Sequence, residues 1–429
     1  MNSLLIKNGR IIDPASSLDQ KGDLWIEDGV IRQVGQGLVA QGIPVMDAAG
    51  LVVAPGFIDL HVHLREPGRE DEETIESGSR AAAAGGFTTV CCMPNTSPVN
   101  DNPAVTRYIM EKAARVAVIR VLPVGAITEG SKGERLAEIG EMVEAGAVGV
   151  SDDGKGVMNS QLMRRAMEYS LPFNIPVIEH CEDDLLAGKG VMNEGFYSTF
   201  LGLKGISRLA EDHMAARDLQ LAELTGAHLH IAHLSTRGTL ALVREAKKRG
   251  IRVTCEVAPH HFSLTDAACC GYDTNTKMNP PLRTEEDVEA LIEGMADGTV
   301  DCIATDHAPH NPNEKALEFD RAPFGILGLE TALGLALTRL VQPGKISLSR
   351  LVELFTIGPA RIIRQPLGTL LAGSEADITL FSPELEWTYN VAETCSRSRN
   401  TPFHGTKMRG CAAAAIVRGQ VVYRNPALL

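Results

Sequence analysis

The feature that most constrains this chain is a rhythm of eight short apolar runs, separated by segments of helical patterning, through its middle. The runs are Gly56 to Leu64, Thr88 to Pro94, Val118 to Gly125, Ala147 to Asp153, Pro176 to Glu182, His228 to Ser235, Arg252 to Pro259 and Asp301 to Ala308. Strands that alternate with helices call for parallel β/α crossovers rather than a sandwich. Eight of them, spaced by about 25 to 45 residues, match an α/β fold of the TIM-like (β/α)8 barrel type with loop insertions. A doubly wound open sheet is the alternative, but no glycine-rich phosphate fingerprint follows any of the strands.

Both ends of the chain have a different texture. LLIKNGRIID, DLWIEDGVIRQVG and VMDAAGLVVAP near the start, and GTLLAGSEADITLF and GCAAAAIVRGQVVYRNP near the finish, read as strands and turns. Asn8-Gly9 and Asp28-Gly29 are hairpin signals. The two ends are expected to combine, residues 1–53 with 368–429, into one small β-sandwich-like domain beside a catalytic barrel at 54–367.

Of the 429 residues, 44% are hydrophobic and 22% charged, the composition of a folded globular chain. The formal charge of −13 argues against nucleic acid or an anionic membrane as partner. An anionic substrate would need local cations. No stretch of about 18 apolar residues occurs and the N-terminus lacks signal-peptide character, so a cytoplasmic protein is expected. The nine cysteines form no Cys-x-x-Cys pair and read as reduced, mostly buried thiols. Cys181, beside His180, reads as a core residue.

The chemistry lies at the strand ends. In Asp59-Leu60-His61-Val62-His63-Leu64-Arg65, strand alternation puts His61 and His63 on one face. Asp152-Asp153 closes the fourth run, Glu179-His180 the fifth, His233 lies in the sixth, and Asp306-His307 in the eighth. The C-terminal ends of barrel strands are where such folds build active sites. Nitrogen and carboxylate donors without thiolate suit zinc, with manganese or cobalt as substitutes. So many donors overfill one tetrahedral ion, so one or two zinc ions per chain are expected, with two preferred and a bridging group between them.

The runs PGFIDLHVHLREPG, GGFTTVCCMPNT, KMNPPLR and ATDHAPHNPNEK, followed by NTPFHGTKMRG, resemble the signature segments of class I bacterial dihydroorotases of the amidohydrolase superfamily. The resemblance covers essentially the whole chain. It implies a zinc-dependent enzyme of pyrimidine biosynthesis that closes N-carbamoyl-L-aspartate to L-dihydroorotate and reopens it. It implies His61, His63, Asp153 and Asp306 around one metal and Asp153, His180 and His233 around the second, with Asp153 as the bridge. Asp306 would also shuttle the proton between the attacking water and the leaving nitrogen. Arg65, Asn95 and His310 would hold the substrate carboxylate, while Asn279 and the backbone around Phe324-Gly325 grip the ring. Many relatives bridge their metals with a carboxylated lysine; here the fourth run ends in Asp-Asp-Gly, and Lys155, the nearby lysine, reads as a solvated loop residue.

The polar loop Asn311 to Pro323 is expected to order over the substrate. His260-His261 are assigned to packing or to support of the ligands, and the acidic run Glu70 to Glu73 to a solvated helix start. His213, His228, His230 and His404 show no partner pattern. The rival readings are a hydantoinase or allantoinase, and an inactive structural partner of aspartate transcarbamoylase. A homodimer and an association with aspartate transcarbamoylase are both compatible with the sequence.

Overall fold

The computed structural model describes residues 3–429. Its centre is a ring of parallel strands. Phe57–Val62 pairs with Phe87–Cys92, which pairs with Arg120–Pro123. The fourth position is reduced to Val150, bridged to Gly125 on one side and Val177 on the other. Val177–Glu179, Leu229–Ile231, Val253–Val257 and Cys302–Ile303 continue the ring, and a Val62–His307 bridge closes it. A long fourth strand does not form because Asp152 turns back on its neighbour. Its carboxylate accepts the N–H groups of Ile127 and Thr128 at 2.9 and 3.0 Å, so a side chain satisfies the donors there.

The barrel interior is apolar: Ile58, Leu60, Cys91, Val124, Val148, Ile178, Ala232, Cys302 and Ala304 form one buried cluster. Ile362 and Ile363, from the helix Ile357–Ile363, belong to the same cluster. Val62 and Leu64 pack instead into the main core with the surrounding helices, on the opposite side from His61 and His63. Those helices start at residues suited to capping. Thr74 forms a capping box with Ser77 at the head of Ile75–Ala84. Asn102 caps Pro103–Val116, where proline occupies the first turn and no amide hydrogen is needed.

The chain ends meet in an eight-stranded sheet. Its order is Gln420–Arg424, Lys407–Val417, Ile378–Thr388, Val52–Pro55, Leu4–Asp13, Leu18–Glu27 and Val30–Gly35, with Val45–Asp47 added against Leu4–Asp13. Asp28 and Gly29, with φ of 51° and 82°, make the tight turn their sequence signals. Asn8-Gly9 does not turn the chain. It is a register irregularity inside Leu4–Asp13, with Asn8 at φ 64° and Gly9 so close to Val53 that a Cβ would sit 2.5 Å from its methyl carbon. Sheet and barrel are joined by Phe57, whose ring lies 5.1 Å from that of Phe355 and 5.7 Å from that of Phe381. No helix among the described residues is long and apolar enough to cross a membrane.

Candidate metal centre and substrate pocket

Four histidines and two aspartates converge at the C-terminal mouth of the barrel, all buried. Asp153 is the hub. Its Oδ1 lies 3.2 Å from His61 Nε2, 3.4 Å from His233 Nε2 and 3.8 Å from His180 Nδ1, and its Oδ2 lies 3.4 Å from His63 Nε2. Asp306 Oδ1 lies 3.1 Å from His63 Nε2 and 3.6 Å from His61 Nε2. Within each of the sets His61–His63–Asp153, His61–His233–Asp306 and Asp153–His180–His233, the donor atoms all lie within 4.8 Å of one another. The structure therefore brings together all six residues expected to bind metal.

These donors suit a divalent cation. His61 Nε2 and Asp153 Oδ1 are buried and have no hydrogen-bond partner, although they face each other. A buried polar atom without a partner is costly, and a cation between such groups removes the cost. The charges point the same way. Burial alone would raise the Asp306 and Asp153 carboxyls, but the surrounding histidines outweigh it and hold both well below the ordinary range. Burial, with His233 alongside, pushes His180 down to about 3, so it stays a neutral donor.

Neighbours aim the candidate ligands. Glu256 sits beneath the centre with one oxygen 2.8 Å from His61 Nδ1 and the other 3.1 Å from His230 Nε2. Its first oxygen also accepts the His233 N–H at 3.2 Å. Burial raises the Glu256 carboxyl, but His230 and His61 hold it at about 2, so it remains ionised. With Nδ1 of His61 engaged, Nε2 faces the centre. Three residues around the site, Arg65, His233 and Asp306, have left-handed φ values of 58°, 30° and 47°. Non-glycine residues hold such conformations only where the surroundings impose them.

Above the centre lies a cavity of about 310 Å³, lined by Arg65, Asn95, Asn279, His310 and Phe324 as well as the ligand side chains. Its size is at the small end for a ligand site and suits a single small ring. Arg65 Nε donates to Pro309 O at 3.0 Å, and its Nη2 lies 3.3 Å from His310 Nε2. Asn95 Oδ1 lies 2.8 Å from His63 Nδ1, so this amide supports the metal centre as well as facing the pocket. Asn279 keeps Oδ1 without a partner, free to accept a ring N–H. Gly325 lies behind Phe324, its own N–H donating to Lys277 O at 2.9 Å.

The acidic run Glu70 to Glu73 departs from the reading as a solvated helix start. Glu72 and Glu73 are buried. Glu72 lies 3.2 Å from both Arg65 Nε and His310 Nδ1, and Glu73 lies 3.3 Å from His307 Nε2 while also accepting from Ser396. Basic partners from distant segments draw these carboxylates inward. His230, which shows no partner pattern in sequence, is Glu256's second partner. A glutamate inside the apolar run VTCEV was itself the signal for that pair. Lys155 is exposed, and burial pushes the Cys181 thiol far up, so it is no thiolate donor.

Curated relatives named dihydroorotase align along nearly the whole chain. The protein from Geobacter sp. (strain M21) is 57% identical over 98% of this chain and 99% of its own length, and that from Solibacter usitatus is 56% identical over 97% of each. The chain belongs to the dihydroorotase family. A family model described as dihydro-orotase-like matches residues 50–239, the stretch that carries His61, His63, Asp153, His180 and His233. Among solved structures, the L-hydantoinase (dihydropyrimidinase) of Arthrobacter aurescens superposes with a TM-score of 0.90 at 24% identity, covering 99% of this chain and 96% of its own. The D-hydantoinase of Thermus sp. gives 0.85 at 26%, covering 98% and 95%. The dihydroorotase family is thus built on the amidohydrolase barrel with a small β domain, and it is metal-dependent, which the candidate donor cluster here fits.

Proposed function

We propose that this chain interconverts N-carbamoyl-L-aspartate and L-dihydroorotate, with two zinc ions held by His61, His63, Asp153, His180, His233 and Asp306. One observation carries the reading: six buried donor side chains converge under a cavity that also presents a guanidinium, two amides and a histidine. A divalent metal bound there supplies Lewis-acid polarisation of the amide carbonyl and lowers the proton affinity of water. Asp153 would be the carboxylate shared by both ions, because it alone approaches all four histidines.

In ring opening, Asp306 takes a proton from the attacking water and returns it to the leaving amide nitrogen; ring closure reverses the traffic. Its low proton affinity makes it a relay rather than a store. Arg65, fixed through Nε by Pro309 O, offers its Nη groups to the substrate carboxylate, with His310 and Asn95 on the same wall. Asn279 Oδ1 accepts a ring N–H, and Phe324 packs against the ring. Closure consumes a proton, so low pH favours the ring. The nine free cysteines fit a reducing cytoplasm. A homodimer and docking to aspartate transcarbamoylase belong to the same reading, and sedimentation with and without that partner tests them.

The deciding experiment strips metal with chelator, titrates zinc back, and follows ring opening of dihydroorotate by its ultraviolet absorbance, with hydantoin and allantoin as controls. Activity on dihydroorotate alone, restored by about one to two zinc per chain, is expected. Asp306→Asn should lose about 100-fold or more in kcat. Preferential opening of hydantoin, or near-normal turnover by Asp306→Asn, overturns the reading.

A further inference from the structure

Two conspicuous pieces of the sequence have no part in that reaction. They are the lysine that closes ATDHAPHNPNEK, Lys315, and the asparagine that opens NTPFHGTKMRG, Asn400. Both side chains are buried, and both are spent on one corner of the pocket, Pro323-Phe324-Gly325. Lys315 Nζ donates to Pro323 O at 3.0 Å and to Gly325 O at 3.2 Å. Asn400 Nδ2 donates to Gly325 O at 3.0 Å and to Ala308 O at 2.9 Å, while its Oδ1 accepts the His310 N–H at 3.0 Å. His310 Nε2 lies 2.7 Å from the carbonyl between them, Phe324 O.

Three successive carbonyls of a connecting segment are therefore held by side chains, where loop carbonyls ordinarily turn to water. Asn400 ties this corner and the His310 backbone to one amide, so the two walls of the pocket keep a fixed separation. Lys315 does so at a cost to the fold. Among the described residues no carboxylate pairs with its ammonium, and burial together with Lys277 lowers its pKa to about 7. A buried cation served only by carbonyls destabilises a fold, and such groups gather where function demands them.

We propose that Lys315 and Asn400 are positioning residues that lock the Pro323–Gly325 corner against His310, so that Phe324 and its backbone present a rigid edge to the cyclic amide. The proposal rests on the pocket assigned above and adds what makes that pocket selective. Loosening the corner weakens ring binding while Asp306 and the metal centre stay in place. The effect should therefore fall on KM rather than kcat.

The test compares Lys315→Met, Asn400→Ala and the double variant with wild type, at equal metal content. Each single change should raise KM by about tenfold or more, with kcat within about threefold of wild type. Because both act through the Gly325 carbonyl, the double variant's KM should match the worse single variant instead of multiplying. Lys315→Met should keep or raise Tm, which a merely structural lysine would not allow. A KM within twofold of wild type in either single variant, or multiplying effects in the double, overturns the proposal. If Asn400→Ala does not fold, Asn400→Asp, which keeps the acceptor for His310 N–H and loses the donors, takes its place. KM is read on whichever ring the wild type opens, and orotate affinity by calorimetry gives the same comparison without turnover. A wrong substrate assignment thus sinks the proposed function and leaves this test standing.

Discussion

Glu256 and Lys315 show how single buried charges serve the pocket in opposite ways. Glu256 is fully compensated by His61, His230 and the His233 amide, so replacing it should act mainly on the ligands it aims. Glu256→Gln is expected to weaken metal affinity by about 10- to 100-fold, read by competition with a chromophoric chelator, with the fold intact. Among the described residues Lys315 has only carbonyl partners and no paired carboxylate, and linkage fixes the sign of its effect. Its pKa falls from 10.5 in the unfolded chain to about 7 in the fold. Its penalty on stability is complete below pH 7, shrinks as pH rises through the folded pKa, and vanishes above about 10.5. The stability advantage of Lys315→Met in denaturant titrations should therefore be largest at or below pH 7, at most about 5 kcal/mol, and fade toward pH 10. An advantage that grows with pH would contradict this. At this scale the sequence was readable where donors sit at strand ends, as with His61, His63, Asp153 and Asp306. It was unreadable where identity depends on a distant partner. Glu256 meets His61 across 195 residues, and only its place in the apolar run VTCEV hints at burial, whereas Glu73 meets Ser396 across 323 and sits among acidic neighbours that look like surface.

At the level of elements, the alternation of apolar runs and helices was legible as a barrel because each strand is buried on both faces. What it hid was how little ladder the fourth position needs, since the Asp152 carboxylate stands in for backbone partners. The Asn8-Gly9 pair was misleading for a related reason: an Asn-Gly pair with a left-handed asparagine serves a bulge as well as a turn, and only the neighbouring strand at Val52–Pro55 decides which. The Phe57–Phe87–Phe355–Phe381 group is where barrel and sheet share a core. Phe355→Ala should cost about 3–5 kcal/mol in urea unfolding and still give one transition for both parts. Two separated transitions would show that the contact does not couple them.

Across the whole molecule, a net charge of −13 surrounds a pocket whose walls carry Arg65, with Lys277 and Lys315 behind them. Under the proposed function, an anionic substrate would meet cations placed locally in an otherwise acidic chain. The segment between Ile378–Thr388 and Lys407–Val417 leaves the small sheet to reach the barrel mouth, where Ser396, Ser398 and Asn400 bind Glu73, Glu72 and the loops at His310 and Gly325. Seen in the order of synthesis, every barrel strand has left the ribosome well before Asn400 does. A nascent chain can close its ring of strands and gather its candidate metal donors, yet the corner at Gly325 is finished only when Asn400, made long after the last barrel strand at Cys302–Ile303, arrives.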